Sequence, residues 1–295
     1  MKVFVGTEKR LFELGSDETL LEAPVALARG PGGWWAVSDG YRICTSRDAR
    51  TWNEAVSLRD LRAKCVLPVD GGAIVGTSEA HLVRVDGSRS ERIRSFDRVP
   101  TRDEWYTPWG GPPDVRSLSI GPDGACYANV HVGGILRSDD GSKWRPTAMD
   151  VDADVHQVLV HPQTAGLVFA ATAIGLATSA DGGESWEFSD EGMHAGYCRA
   201  VAIAGETLLV SASKSHTGKH SALYRRPLKG GTFTRATRGV PEWFADNVDT
   251  FCLDAREDDA VIGTTDGRVF VSQDAGRAWT EALSGAGPVT CVALA

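Results

Sequence analysis

Three features are missing from this sequence, and each absence excludes a class of protein. There is no run of about 18 apolar residues, and the N-terminus has no long apolar region, so neither a membrane-spanning helix nor a secretion signal is predicted. There is no excess of basic charge, because 39 acidic residues against 31 basic ones give a net charge of −8. Neither a nucleic acid nor a membrane is therefore expected as a partner.

The sequence also has no closely spaced pair of cysteines. Its six cysteines lie far apart, and four of them fall inside apolar strand-like runs, where free thiols behave as small hydrophobic side chains. We therefore expect a reducing, cytoplasmic location. Aromatic residues make up only 8% of the chain, but 42% of its 295 residues are hydrophobic, which is enough for a full core.

A short motif occurs four times. Residues 179–186 and 272–279 share the pattern Ser-x-Asp-x-Gly-x-x-Trp, and residues 46–52 and 138–144 are versions that are one residue shorter. Each copy follows a short apolar run, which is typical of a strand, a turn and a strand. Ser and Asp side chains can bind neighbouring backbone groups and lock the turn. The four motif tryptophans are expected to pack beside these turns: Trp52, Trp144, Trp186 and Trp279.

These motifs resemble the Asp-box, or BNR, repeat. The chain resembles the β-propeller families that carry it: bacterial sialidases, the sortilin ectodomain and the photosystem II assembly factors. The resemblance implies an all-β propeller, but sialidase activity is not expected. Sialidases have an Arg-Ile-Pro segment and a Tyr–Glu pair, whereas residues 42–44 read Arg-Ile-Cys and Tyr197 has no recognisable Glu partner.

The spacing of the motifs predicts the number of blades. One interval between motif serines is about 40 residues long and the other two are about twice that, so each long interval contains one extra repeat. The chain ends with one apolar run, residues 288–294, and begins with two others, residues 2–6 and 10–14, which together complete one blade. We predict a single seven-bladed β-propeller domain over residues 1–295, with six or eight blades as alternatives.

Aligning the first strands of the blades predicts a shared site. Five segments align on their apolar residues: residues 116–120, 156–160, 199–203, 251–255 and 290–294. The first position of each is expected at the mouth of a central channel, where charges of both signs would converge. Burying such groups is costly unless they are paired or bind a ligand. The predicted catalytic residues are His156, Asp154, Arg116, Arg199 and Tyr197.

A second group of residues is predicted to bind the substrate. Six of the seven histidines are expected on one face of a propeller, four in loops between second and third strands and two at or just before first strands. Histidine can transfer protons or bind a metal near neutral pH. Three tryptophans outside the Asp boxes lie in long loops on the same face. Alternatives remain open, since the charged pairs could be structural ion pairs and the tryptophan loop a plug. The predicted substrate-binding residues are Asp114, Asp249, His131, His194, Trp105, Trp109 and Trp243.

Three functions fit these residues. The first is a hydrolase or lyase for an anionic or polar small molecule, with His156 as general acid or base and arginines that bind the anion. The second is a non-catalytic scaffold with a protein partner, as the resemblance to assembly factors implies. The third is a metal-dependent enzyme in which His131, His156 and His194 bind a divalent cation. A seven-bladed streptogramin lyase, which uses a histidine and a metal, offers a precedent in blade number only. No cofactor is required by the sequence.

Overall fold

The computed structural model describes every residue from Met1 to Ala295 and contains seven antiparallel four-stranded sheets. The chain is an all-β, seven-bladed β-propeller, as the repeat spacing predicted. The helices are five 3₁₀ turns of three residues each, and none has the length or the apolar character needed to cross a membrane.

One blade combines the two ends of the chain. Its strands are β28 (Val289–Leu294), β1 (Val3–Thr7), β2 (Arg10–Glu13) and β3 (Leu21–Glu22), in that order. Val5 of β1 pairs with Val292 of β28 and, on its other side, with Phe12 of β2. The predicted sharing of a blade between the N-terminal and C-terminal strands is confirmed.

The other six blades each use four consecutive strands. The second, third and fourth blades contain β4 (Pro24–Gly30), β5 (Gly33–Ser38), β6 (Arg42–Ser46), β7 (Asn53–Ser57); β8 (Ala63–Val69), β9 (Gly72–Thr77), β10 (Leu82–Asp86), β11 (Arg89–Arg92); and β12 (Val115–Ile120), β13 (Cys126–Val130), β14 (Gly134–Ser138), β15 (Arg145–Pro146). The last three contain β16 (Val155–Val160), β17 (Val168–Thr172), β18 (Gly175–Ser179), β19 (Glu187–Ser189); β20 (Tyr197–Ala204), β21 (Thr207–Ser213), β22 (Ala222–Pro227), β23 (Thr234–Arg235); and β24 (Leu253–Arg256), β25 (Asp259–Gly263), β26 (Val269–Ser272), β27 (Thr280–Leu283).

One predicted strand begins differently from expectation. The aligned segment 251–255 starts with a 3₁₀ turn, Thr250–Cys252, and its strand begins only at Leu253. The backbone N–H of Cys252 donates to the carbonyl of Asp249 and closes this turn. The other 3₁₀ turns lie in loops: Ser78–Ala80, Phe96–Arg98, Arg102–Glu104 and Val151–Ala153.

The four motif turns have the predicted hydrogen bonds. In each, the Ser hydroxyl donates to the Asp carboxylate two residues later, and that carboxylate accepts backbone N–H groups from the rest of the turn. The tryptophans are less uniform than expected. Trp144 and Trp279 are buried, whereas Trp52 and Trp186 are partly exposed. The packing prediction is therefore strongest for the first two.

The chain divides into two compact units, which we describe separately. The terminal unit comprises Met1–Pro24, Ala171–Leu176 and Phe188–Ala295, and the central unit comprises Val25–Ala170 and Ala177–Glu187. Each has buried apolar clusters of its own, one around Trp279 and Phe270 in the terminal unit and one around Tyr127 and Val158 in the central unit. A single domain over residues 1–295 stays a prediction.

Candidate functional site

In the central unit, two cationic side chains stand at β-bulges near the start of first strands. The pairing register shifts at Lys64 on β8 and at Arg116 on β12. A bulge re-aims a side chain, and bulges are over-represented next to active sites. Strand β12 contacts β8 and β16, so Lys64, Arg116 and His156 occupy equivalent positions on three neighbouring strands.

Lys64 is a residue that the sequence reasoning missed. Its Nζ lies 2.8 Å from a carboxylate oxygen of Asp114, and both side chains keep a third of their surface exposed. Asp114 was predicted to bind substrate, with a structural ion pair to Arg116 as the alternative, and the structure adds Lys64 as an ion-pair partner of Asp114. The signal was present in the sequence, because Ala63-Lys64-Cys65 aligns with Val115-Arg116-Ser117 at the start of the neighbouring first strand.

The central unit brings together two histidines around one carboxylate. Nε2 of His131 lies 3.0 Å from Oδ1 of Asp154, and Nε2 of His156 lies 3.5 Å from Oδ2. His156 is fully buried and His131 nearly so, while 22% of the Asp154 side chain is exposed. Within the His131–Asp154–His156 cluster, Asp154 is therefore the most exposed residue, although its Oδ1 and Nε2 of His156 are themselves buried.

The backbone just before β16 places Asp154 in this cluster. Residues Val151–Ala153 form a 3₁₀ turn that the Asp150 carboxylate caps by accepting the N–H of Asp152 at 2.8 Å. Asp154 ends the turn in the left-handed conformation with φ 48°, which Asp tolerates better than most residues. Burial alone would raise the pKa of Asp154, but hydrogen bonds and charge from His131 and His156 outweigh burial and hold it well below its usual value.

His131 is held in place by the loop that connects β11 to β12. Its backbone N–H donates to the carbonyl of Asp114 at 2.9 Å, and the carbonyl of the next residue, Val132, accepts the N–H of Tyr106 at 3.2 Å. Val132 has φ 47°, an uncommon conformation for a β-branched residue. This strained turn persists because the loop supports it on both sides, and strain of this kind clusters at functional sites.

A buried polar network fixes β16 next to β12. The Ser117 hydroxyl donates to the side-chain carbonyl of Asn129 and accepts the N–H of Val158 at 2.9 Å, and the Asn129 amide donates to the carbonyl of Val155 at 2.8 Å. All of these groups are buried, and buried networks that are fully satisfied make a structure rigid. His156 directly follows Val155, so the network sets the position of its backbone.

The loop between Ser95 and Asp114 places its aromatic residues in different environments. Trp105 is buried against Phe96, and its ring lies under the Arg102 guanidinium at 4.6 Å. Trp109 is 71% exposed, and its ring centroid lies 5.0 Å from that of His131. Trp105 therefore acts in packing, and we leave it out of the proposed site. Trp109 is available to a ligand at the cluster. Tyr106 donates to the Asp152 carboxylate at 2.8 Å.

In the terminal unit, Arg199 occupies the same kind of bulge on β20. Its Nε donates to Asp249 at 2.6 Å, and its guanidinium lies 6.0 Å from the centroid of the Tyr197 ring. Burial would lower the pKa of Arg199, but the charge and hydrogen bond of Asp249 outweigh burial and raise it. The alternative of a structural ion pair therefore describes this pair well, and an anionic ligand would compete with Asp249 for the guanidinium.

His194 and Trp243 belong to an aromatic group in the terminal unit. Nδ1 of His194 lies 2.6 Å from the hydroxyl of Tyr224, and the Trp243 ring lies between those of His194 and His220, at centroid distances of 4.9 and 4.7 Å. The Arg235 guanidinium stacks on Trp243 at 3.8 Å. Burial, with the positive charge of Arg235, lowers the pKa of His194. Tyr224 lies on β22 and Arg235 on β23. Neither belongs to a repeated motif, so neither was identified from the sequence.

The group best arranged to hold a metal differs from the predicted one. His131 and His156 belong to it, but the third side chain is Asp154 instead of His194, and the ligand atoms of the three lie within 4.8 Å of one another. Asp154 joins this group because it lies two residues before His156 and immediately before the first residue of β16. No thiolate site is indicated, since all six cysteines are buried and free, and burial raises their pKa values.

Clefts in the central unit lie near the Asp-box turns. One of about 390 Å³ is lined by Trp34, Trp35 and the Asp-box residues Ser46 and Arg47, and an adjoining one of about 340 Å³ includes Asp140 of another Asp box. Neither is lined by a residue of the His131–Asp154–His156 cluster. The second cleft is lined by Asp70, Arg84 and Asp140, but neither cleft is lined by a histidine. We therefore assign the chemistry to the cluster, where two histidines meet a carboxylate.

Comparisons with known proteins establish the fold. No protein-family model matches the chain, and no curated protein sequence matches it either. Among solved structures, a candidate 6-phosphogluconolactonase from Bacteroides uniformis is similar over 99% of this chain and 98% of its own, with 13% identity and a TM-score of 0.63.

Two further structures broaden this comparison. YCF48 bound to a D1 peptide is similar over 88% of this chain and 81% of its own, with 16% identity and a TM-score of 0.59. A GH74 xyloglucanase from Xanthomonas campestris matches 88% of this chain but only 45% of its own, with 14% identity and a TM-score of 0.64. The similar propellers thus include proteins named as enzymes and a protein with a bound peptide.

Proposed function

We propose that the chain is a hydrolase or lyase for a polar, anionic small molecule and that the reaction takes place at the His131–Asp154–His156 cluster. The observation that carries this proposal is the Asp154 carboxylate between two imidazole nitrogens, at 3.0 and 3.5 Å, in a largely buried setting. Hydrolysis and elimination both need a group that accepts a proton from water or from the substrate. A carboxylate that orients a histidine provides such a group.

The surrounding side chains indicate the class of substrate. Arg116 is a cation at a bulge on β12, the strand next to β16, and Lys64 is a cation at the equivalent bulge on β8, one blade further away. These charges favour a carboxylate or phosphate group on the ligand. Trp109 exposes most of its ring beside His131 and would cover the ligand on that side. His131 is the imidazole nearest to Trp109, so we assign proton transfer to the His131 side and the positioning of Asp154 to the fully buried His156.

The residues of the terminal unit stay candidates for ligand binding. An anionic ligand would displace Asp249 from Arg199, next to the Tyr197 ring. His194 and Trp243 would provide an aromatic surface for the ligand. Their existing contacts explain them structurally as well, so the proposal does not depend on them.

The test is a ligand screen followed by turnover measurements. A panel of carboxylates, phosphate esters and lactones is screened by thermal shift, and crystals are soaked with a metabolite extract. Turnover of the compounds that bind is then measured for the wild-type protein and for Asp154→Asn. His216→Ala, which removes an exposed histidine outside the cluster, is the control. We expect Asp154→Asn to lower turnover at least about 100-fold, in the range of a general acid–base contribution, with a normal far-UV CD spectrum. Equal turnover by Asp154→Asn and the wild-type protein would refute the proposal.

A second candidate function is peptide binding. The structural similarity to YCF48 bound to a D1 peptide and the exposure of Trp109 and Tyr106, at 71% and 45%, favour it. Exposed aromatic residues are common anchors at protein interfaces. In this case Trp109→Ala would abolish capture of a protein partner while Asp154→Asn would not. The opposite pattern, with the small-molecule ligand lost only in Asp154→Asn, favours the enzyme.

We further propose that the chain belongs to the Asp-box propellers and works in the cytoplasm. The Ser–Asp hydrogen bond repeated in four motif turns supports the first statement. Six buried, free cysteines support the second, since reducing compartments keep thiols unpaired. Mass spectrometry of the protein from its native cells tests the second, after alkylation in denaturant without reduction. Six alkylated cysteines are expected, and a disulfide would refute the assignment.

A further inference from the structure

We propose that His131, Asp154 and His156 bind one divalent transition-metal ion, through Nε2 of each imidazole and the Asp154 carboxylate. The inference rests on the proposed function in one respect, since it assigns a cofactor to the same reaction centre. Metal binding can be measured without knowing the substrate, so the two proposals can fail independently.

The first argument is the distance between the ligand atoms. A first-row cation such as Zn²⁺ sits about 2.0 to 2.2 Å from nitrogen and carboxylate ligands. Two ligands of one such ion are therefore separated by about 3.0 to 3.5 Å at right-angled or tetrahedral coordination. The separations from Asp154 to His131 and to His156 are 3.0 and 3.5 Å, and no pair of ligand atoms in the set exceeds 4.8 Å. The two separations that involve Asp154 therefore match those of two ligands on one ion.

The second argument is the chemistry of the donors. Ca²⁺ and Mg²⁺ bind oxygen ligands, and soft ions such as Cu⁺ select thiolates and thioethers, neither of which belongs to this set. Two imidazoles and one carboxylate suit Zn²⁺ in a catalytic site or Fe²⁺ in a facial arrangement with open positions. The class of ion is therefore a borderline divalent transition metal.

The third argument is that the site is preorganised and partly open. Asp154 is fixed by the capped 3₁₀ turn before it, and His131 by the backbone bonds of its turn. Only three protein groups converge, and 22% of the Asp154 side chain remains exposed. Catalytic metal sites commonly have three protein ligands and leave a further position for water. A water bound there would take over the proton transfer that the metal-free cluster provides in the proposed function.

The experiment measures metal binding directly. The full-length protein is treated with a chelator and titrated with Zn²⁺ by isothermal calorimetry, and with Co²⁺ while its visible absorption is recorded. We expect one ion per chain and a Co²⁺ spectrum of a low-coordinate nitrogen and oxygen site. Zn²⁺ binding should be weakened at least about 100-fold in each of three variants: His131→Ala, His156→Ala and Asp154→Asn. Loss of a residue that only hydrogen-bonds a metal ligand already weakens binding by up to about 100-fold. The exposed-histidine control His216→Ala should bind like the wild-type protein.

Folding controls and separate outcomes keep the inference falsifiable. His131→Gln keeps a polar side chain of similar size, so it replaces His131→Ala if that variant melts early. Zn²⁺ should raise the melting temperature of the wild-type protein and His216→Ala, but not that of Asp154→Asn. Stoichiometric binding that survives in the ligand variants, or no stoichiometric binding by the wild-type protein, would overturn the inference.

Turnover separates this inference from the proposed function. If the metal-free protein turns over its substrate at the full rate, the ion is not a cofactor of that reaction, and the proposed function stands without it. If the cluster binds one ion but the protein only captures a peptide, the proposed reaction is wrong and the metal site stands.

Discussion

Replacement of the buried Asp-box tryptophan Trp279 by alanine tests the packing of the blades. Trp279 is 5% exposed, lies in the same buried cluster as Leu209 and Phe270, and donates its indole N–H to the carbonyl of Gly276 at 3.2 Å. Truncating a buried tryptophan costs about 3 to 5 kcal/mol of unfolding free energy. Trp186 is only partly buried, and its indole N–H has no hydrogen-bond partner. Trp186→Ala should therefore cost less, about 1 to 3 kcal/mol.

The expected change in melting temperature follows from chain length. With an unfolding entropy of about 2.1 cal/mol/K per residue, a chain of 295 residues loses roughly 1.6 °C for each kcal/mol. Trp279→Ala should then melt about 5 to 8 °C below the wild-type protein, and Trp186→Ala about 2 to 5 °C below it. Urea unfolding followed by tryptophan fluorescence and CD gives the free energies independently. Equal losses for the two variants, or a loss below about 1 kcal/mol for Trp279→Ala, would refute the assigned packing role.

Two further predictions concern stability. Burial raises the pKa of Asp254 to about 6, although its carboxylate accepts the backbone N–H of Leu294 at 2.8 Å, which acts to lower the pKa. Asp254 therefore binds more protons in the native state than in the unfolded chain between about pH 4 and 6, so its own contribution to stability should fall as pH rises through that window, by at most about 3 kcal/mol. Asp254→Asn should lack this fall in urea titrations; an unchanged pH profile would contradict the assignment. Gly76→Ala should cost about 1 to 3 kcal/mol, because the added Cβ would lie 2.5 Å from Cys65 and Val115 atoms. Gly32→Ala, which meets open space, is the control, and equal stability of the two variants would refute the steric argument.

Local chemistry explains which parts of the fold could be predicted. The Asp-box turns form from Ser and Asp side chains that bind the backbone within a few residues, so the motif is sufficient to identify them. The apolar strands between the motifs set the blade length, and the incomplete blades at the two termini predicted their pairing. The strand at residues 251–255 was assigned too early because its first residues are as apolar as a strand, whereas an i to i+3 hydrogen bond from Cys252 to Asp249 curls them into a 3₁₀ turn.

The candidate site was predictable only in part. Asp154 and His156 were identified because both lie at the start of one aligned strand, where proximity along the chain guarantees proximity in space. His131 reaches them from another blade, and its inclusion followed from the expected face of its loop. The pairing of Lys64 with Asp114 and the burial of Trp105 depend on how the loop between Ser95 and Asp114 folds, and that loop has no repeating pattern.

The sequence alone determined the seven blades, the four motif turns that precede the fourth strand in four of them, and the positions at which ionisable side chains enter the first strands. These features depend on hydrogen bonds and apolar periods within about one repeat of chain. The tertiary structure decided which charged groups pair, which tryptophan is exposed and that Asp154, in place of His194, joins His131 and His156. These outcomes depend on packing between segments that are far apart in sequence. A displacement of about one or two ångströms there decides whether two side chains form an ion pair, bind the same ligand or do not meet.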